Sequence, residues 1–254
     1  MLFINGGIDL FKIHDTKAHT HAESQGAQTS PKASNKRALA YLLDVFIIVV
    51  MGVLLFWGAS TEFYNLHNDV RRYQCYAVAF WHGTTGLSSL PQTQCAFLQD
   101  SSSTAIASKL QTDKFPAFLV KLVESQSTTQ PLHALPPEYP LLTIVPFSLV
   151  LPMPQDWYQI AFAIVMALTA GGIYFILKRY RSTGAAIAFA LFLVLGGWGT
   201  AEGRFDLIPA GLTLGAVILA ARARWKWAYA LLALATMLKF YPVVLIVPFF
   251  IAQQ

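Results

Sequence analysis

Apolar and polar positions follow one another along this chain in long blocks. A polar opening over 1–38, rich in Ser, His, Ala and Gln, gives way to apolar runs at 39–58, 157–177, 184–200, 205–221 and 228–251. A run of about 20 residues crosses a hydrocarbon core of about 30 Å at 1.5 Å per residue. The pattern therefore predicts five membrane-spanning helices behind a disordered tail that has no apolar core of its own. No cleavable signal peptide is visible, so the first run is expected to be an uncleaved anchor. The stretch 59–156 is mixed in character and cannot lie in lipid throughout, because irregular backbone finds no hydrogen-bond partners there. Within it, the apolar run 140–153 is short for a span and contains Pro146. An interfacial or re-entrant helix is expected at that place.

Composition agrees with the block pattern. The 254 residues are 55% apolar and 12% charged, too little polar surface to cover a soluble globule of this size. The fold class expected is all-α integral membrane: a polytopic helix bundle with a long first non-cytoplasmic loop carrying interfacial helices. The net charge of +5 is not a nucleic-acid footprint, since half of the 18 basic residues gather in three short clusters beside apolar runs. Those clusters are Lys32, Lys36 and Arg37; Lys178, Arg179 and Arg181; and Arg222, Arg224 and Lys226, and none of the 13 acidic residues falls among them. Short basic loops stay on the cytoplasmic side. With five crossings all three clusters share that side, which makes the protein a multi-pass cell-membrane protein with a cytoplasmic N-terminus. The loop 59–156 and the turn between the third and fourth runs are then outside.

Cys75 and Cys95 both fall in the outer loop, on the side where disulfides form in most cells. A disulfide and two free thiols are both consistent with the sequence. The six histidines lie in the tail or the outer loop with no pair at ligand spacing, so no motif supports a divalent metal and no cofactor is firmly implied.

Four places in the chain carry candidate chemistry. In TEFYNLHNDVRRYQCYAVAFWHG, residues 61–83, Asp69, Tyr73, Tyr76 and Phe80 recur at helical spacing. Such a helix is expected along the membrane surface, with aromatics at the interface and Asp69, Arg71 and Arg72 exposed. Its bland reading is a solvated loop helix; its sharper one makes Asp69 a general base toward a hydroxyl whose co-reactant is lipid-linked. In HALPPEYPLL, Pro136, Pro137 and Pro140 fix the backbone direction, so Glu138 and Tyr139 are held at the surface. As a plain alternative, Glu138 is an ordinary carboxylate at a helix start. In LGGWGTAEGRFDLIPAG, Glu202, Arg204 and Asp206 interrupt an otherwise apolar stretch, either as a Gly-rich turn or as a site. Finally, Lys239 stands near the middle of the last apolar run, about 16 Å from either end at 1.5 Å per residue. That is too deep for a lysine to snorkel, so it should face protein or a cavity and meet an anion: Asp206, Glu202 or a phosphate.

GRFDLIPAGLTLGAVILAARAR, followed by LLALATMLKFYPVVLIVPFF, resembles the core pattern of glycosyltransferase family 87. The early Asp69 with Tyr73 downstream and the Pro-Pro-x-Tyr-Pro motif at 136–140 extend the resemblance over most of 39–251. It implies a bundle of GT-C type, the superfamily of integral-membrane glycosyltransferases that use polyprenyl-phosphate sugars, many of them mannosyltransferases. It further implies inverting transfer of a hexose, mannose by that likeness, to an acceptor hydroxyl on the non-cytoplasmic face. By the same analogy Asp69 is the catalytic base, Arg204 and Lys239 bind the donor phosphate, and Glu138, Tyr139, Glu202 and Asp206 contact donor or acceptor or orient the cations. The partners implied are membrane lipid, a lipid-linked sugar donor and a glycan or glycolipid acceptor. Members of this family are usually longer, with about twice as many spans, so the chain is read as an N-terminal portion whose activity alone is in question. A non-catalytic membrane subunit and a transporter are the alternatives. The transporter would show two related halves with paired interrupted helices, and no internal repeat is found.

Overall fold

A computed structural model describes residues 31–63, 68–91, 93–99, 103–124, 131–132, 134 and 138–254. Among these residues every regular element is helical. Contacts divide the chain into two units, Met1–Asp44 and Val45–Gln254. Of the first unit, the described part is the opening of helix α1 (Pro31–Ser60). Residues 1–30, most of the expected tail, lie outside the described residues, and α1 begins ahead of the expected boundary at 38.

The second unit contains the rest of α1 and all that follows. Helix α2 (Asp69–His82) is followed by a 3₁₀ turn at Thr84–Ser89 and by three short helices: α3 (Ala96–Gln99), α4 (Ser103–Thr112) and α5 (Ala117–Glu124). The apolar run expected at 140–153 is a 3₁₀ turn, Leu141–Thr143, and the five-residue helix α6 (Ile144–Ser148). Five residues of helix rise about 8 Å, far less than a hydrocarbon core. Helices α7 (Tyr158–Tyr180), α8 (Thr183–Gly196), α9 (Leu207–Ala221) and α10 (Trp225–Leu238) follow, then a 3₁₀ turn at Tyr241–Leu245 and α11 (Ile246–Gln253).

Two stretches, Ala38–Ser60 and Gln155–Tyr180, are long and apolar enough to cross a membrane. The other expected spans form shorter helices. α8 stops at Gly196, where the Gly197 amide closes on the Leu193 carbonyl. The continuous helix expected over 228–251 is corrected: α10 ends at Leu238, and Lys239 is extended (φ −155°, ψ 137°). The cause is Pro242, which has no N–H for the Leu238 carbonyl four residues back and whose ring collides with it. Lys239 therefore sits at a helix end, not at mid-span.

An aromatic core joins the elements. Tyr73 of α2 stacks on Phe147 of α6 with ring centroids 4.2 Å apart and meets Phe162 of α7 at 5.7 Å and Phe205, before α9, at 5.5 Å. The Tyr158 hydroxyl donates to the Phe147 carbonyl (2.6 Å), and Trp81 Nε1 donates to Ser148 Oγ (2.7 Å). Tyr73 and Tyr76 were expected at a membrane interface, but they are 2% and 1% exposed. Helical spacing identifies a face, and here that face turns onto α6 and α7. Cys75 and Cys95 are joined in a disulfide that holds α2 to the loop before α3.

Opposite ends of the bundle differ in character. At one end the Arg222 guanidinium lies 4.4 Å from the Tyr180 ring and that of Arg179 lies 5.8 Å from it, which brings the second and third basic clusters together. At the other, Gly58 of α1 touches the turn after α8 so closely that a Cβ there would stand 2.0 Å from the Trp198 carbonyl oxygen. Gly58→Ala is expected to cost about 1–3 kcal/mol through this backbone collision. Gly52→Ala on the same helix, where nothing lies within 4 Å, should stabilise by up to about 1 kcal/mol. Thermal unfolding of the detergent-solubilised protein checks both, and equal midpoints for the two variants would contradict the close approach.

Candidate functional site

The chain places its charged side chains in pairs around the Tyr73–Phe205 contact. Asn68 caps α2 by accepting from the Arg71 amide (2.8 Å), which puts Asp69 in the first turn, where the helix dipole favours a carboxylate. Asp69 Oδ2 meets Arg204 Nε at 2.8 Å, across 135 positions of sequence. Arg204 comes from the glycine-containing turn between α8 and α9, and its side chain remains half exposed. Asp206, at the start of α9, pairs with Lys239 at the end of α10. The Lys239 ammonium also stands 5.4 Å from the Phe205 ring. One turn further along α2, Arg72 donates to Glu138 Oε1 (2.7 Å) and lies 5.0 Å from the Phe97 ring. Of the proline-rich approach to Glu138, Pro136 and Pro137 lie outside the described residues.

Between these pairs Tyr139 meets Tyr73 edge-on, with ring centroids 5.9 Å apart, and Phe205 at 5.6 Å. Burial, followed by the neighbouring Tyr139 and Asp69, holds the Tyr73 hydroxyl well above its ordinary range. Tyr139 is raised as well, chiefly by burial. Both phenols thus remain protonated at neutral pH as neutral hydrogen-bonding groups beside the carboxylates.

A cleft of about 290 Å³ opens beside the first pair, with Glu62, Asn68 and Asp69 on one wall and Thr200, Gly203 and Arg204 on the other. The structure thus joins Asp69 with Arg204, Asp206 with Lys239 and Tyr139 with Tyr73. Glu138 goes to Arg72, which was expected to be merely exposed. No local signal in the sequence could have named that partner, 66 positions away.

Glu202 stands apart. It is 0% exposed, and neither carboxylate oxygen has a hydrogen-bond partner. It forms no ion pair with Arg204 or Lys239, the cations it was expected to orient. Burial pushes its carboxyl up to about 8 from the ordinary 4.5. The folded protein keeps this proton over a range in which the unfolded chain releases it. Its contribution to stability is therefore intact below 4.5 and is lost as pH rises toward about 8. Glu202→Gln should flatten the fall of the thermal midpoint between about pH 5 and pH 8, and parallel curves for the two proteins would refute a buried neutral carboxyl. Among the described residues no three His, Cys, Asp or Glu side chains gather to hold a metal ion.

Apolar helices carrying paired charges and buried phenols at one end define a helical protein with a polar cleft. Residues 137–254, just under half of the chain, match the model of glycosyltransferase family 87. Proteins of that family are, by its description, glycosyltransferases, which act on a sugar donor and an acceptor. No curated protein and no solved structure matches the chain. Glu138, Tyr139, Glu202, Arg204, Asp206 and Lys239 all fall within the matched stretch, whereas Asp69 precedes it.

Proposed function

We propose that the protein is an inverting membrane glycosyltransferase of GT-C type that moves a hexose, mannose in the first instance, from a polyprenyl-phosphate donor to a hydroxyl of a glycan or glycolipid. The observation that carries this reading is the Asp69–Arg204 contact at the cleft, which joins a carboxylate from outside the family-matched stretch to a cation within it. Asp69 takes the proton of the acceptor hydroxyl. The acceptor oxygen forms its bond to the anomeric carbon from the face opposite the phosphate, and the bond from that carbon to the phosphate oxygen breaks, its electron pair leaving with the polyprenyl phosphate. The leaving group gains negative charge as it departs, and fixed cations stabilise it most at that moment. Arg204 and Lys239 are suited to this task because each is held in place by a carboxylate and keeps part of its side chain exposed to a donor phosphate.

In this reading the bundle crosses a membrane several times, with the basic turns in the cytoplasm and the paired charges outside. The exposed Trp57, Trp157 and Trp198 near the paired-charge end, and Trp227 and Tyr180 near the basic end, support that placement, since amphipathic aromatics favour the two interfaces. The test supplies membranes containing the full-length protein with radiolabelled polyprenyl-phosphate mannose or, separately, a nucleotide-linked mannose. Label should reach glycan or glycolipid from the lipid-linked donor alone. Transfer only from the nucleotide sugar, or from neither, overturns the proposal.

A further inference from the structure

On the face of α2 turned away from Asp69, Arg72 and Tyr73 lies a second cleft, of about 300 Å³, whose walls include Phe63, Arg71, Gln74, Gln94, Gln155 and Asp156. That volume is at the lower end for small-molecule sites, about 300–1,000 Å³. Its inner wall is rigid. Gln94 Nε2 donates to Gln74 Oε1 (2.9 Å), the Arg71 guanidinium donates to the Phe63 carbonyl (3.1 Å), and Gln74 and Gln94 are 4% and 5% exposed. The disulfide joins the residues immediately after these two glutamines, Cys75 and Cys95, and so fixes the amides against each other. The outer wall is different: Gln155 and Asp156 are exposed, and their side chains make no hydrogen bond or ion pair. A fixed amide wall, an arginine, a free amide and carboxylate and one aromatic ring supply donors and acceptors in alternation, with the charges of Arg71 and Asp156 opposed. Such a set suits a neutral polyhydroxylated ring better than an anion.

We infer that this cleft is a subsite for a neutral hexose ring, held apart from the reacting sugar. The clefts adjoin, since Phe63 lines both and the side-chain amides of Asn68 in the first and Gln159 in the second meet at 3.0 Å. A saccharide seated in the second cleft therefore leads toward Asp69. Its role as a hold on the acceptor rests on the transferase reading above; the binding itself does not.

The test uses the full-length protein in lipid nanodiscs and neutral mannose and glucose trisaccharides, followed by saturation-transfer NMR. At least one trisaccharide should bind, and the doubly substituted Gln155→Ala, Asp156→Ala protein, altered only at exposed positions, should bind it at least tenfold more weakly. Asp69→Asn should bind it as the native protein does. No trisaccharide binding by the native protein, equal binding by the double variant, or displacement by inorganic phosphate overturns the inference. Transfer assays separate the two sources of the sugar: an acceptor subsite requires the double variant to raise KM for the acceptor and leave KM for the polyprenyl-phosphate donor unchanged. A raised donor KM alone would overturn the acceptor assignment. If binding follows these expectations while lipid-linked transfer is absent, the transferase reading fails and the hexose site stands.

Discussion

Asp69→Asn is expected to lower sugar transfer by about 10²–10⁴-fold, the usual share of a general base, while the protein stays folded and in the membrane. Asparagine has the shape of aspartate, and its oxygen still accepts from Arg204, so the 2.8 Å contact has a neutral replacement. It cannot take the acceptor proton. Position adds to the case: the carboxylate lies on a cleft wall, at the head of a helix anchored by the Asn68 cap and the Cys75–Cys95 disulfide. Anchoring of that kind keeps a base within reach of one hydroxyl rather than many. Turnover is measured with polyprenyl-phosphate mannose in membranes, with protein amount and thermal midpoint followed alongside. Full activity in both Asp69→Asn and Asp69→Ala would remove Asp69 from catalysis. A lowered midpoint with proportionate loss of activity would make it a structural partner of Arg204.

Much of the candidate site was legible because charge is rare in this chain. Glu202, Arg204, Asp206 and Lys239 stand out as interruptions in apolar sequence, and an ionisable group in such a setting must find a partner or shed its charge. Both outcomes occur. Asp206 and Lys239 pair, as one of the expected anions allowed, whereas Glu202, two residues before Arg204, is buried alone. Sequence spacing could not separate these fates, since which side of a turn faces the core is decided by Phe205 and the packing around it. The Arg72–Glu138 and Asp69–Arg204 pairs were illegible for a simpler reason: each joins segments that only the fold brings together.

The elements show the same division. The 23 residues of α7 follow their apolar run closely, and the basic residues of its last turn suit the helix C-terminus. The break after α10 was written in the sequence as Pro242, yet hydrophobicity alone runs on past it. Applied strictly, the four-residue reach of a proline ring places the break at Leu238, where it is found. The second cleft left no sequence signal, because glutamines scattered over 74–159 acquire meaning only when a disulfide and three helical segments collect them.

That break is what makes Lys239 available. A lysine inside an unbroken helix at mid-span would be committed to a buried counter-ion, whereas at the end of α10 its ammonium reaches Asp206 and Phe205 with over a third of the side chain still exposed. Lys239→Met is therefore expected to reduce kcat/KM for the polyprenyl-phosphate donor by about 10²–10³-fold, the scale for losing one group aimed at developing charge, and to leave KM for the acceptor unchanged. Lys239→Arg retains the charge and should recover a substantial part of the rate. Asp206→Asn distinguishes holding the lysine from binding the sugar: an aspartate that only positions Lys239 leaves acceptor KM alone and weakens the donor step, by less than loss of the lysine does. Should Lys239→Met lower the thermal midpoint and leave kcat/KM for the donor intact, the pair is structural, and the donor phosphate must find its cation in Arg204 alone.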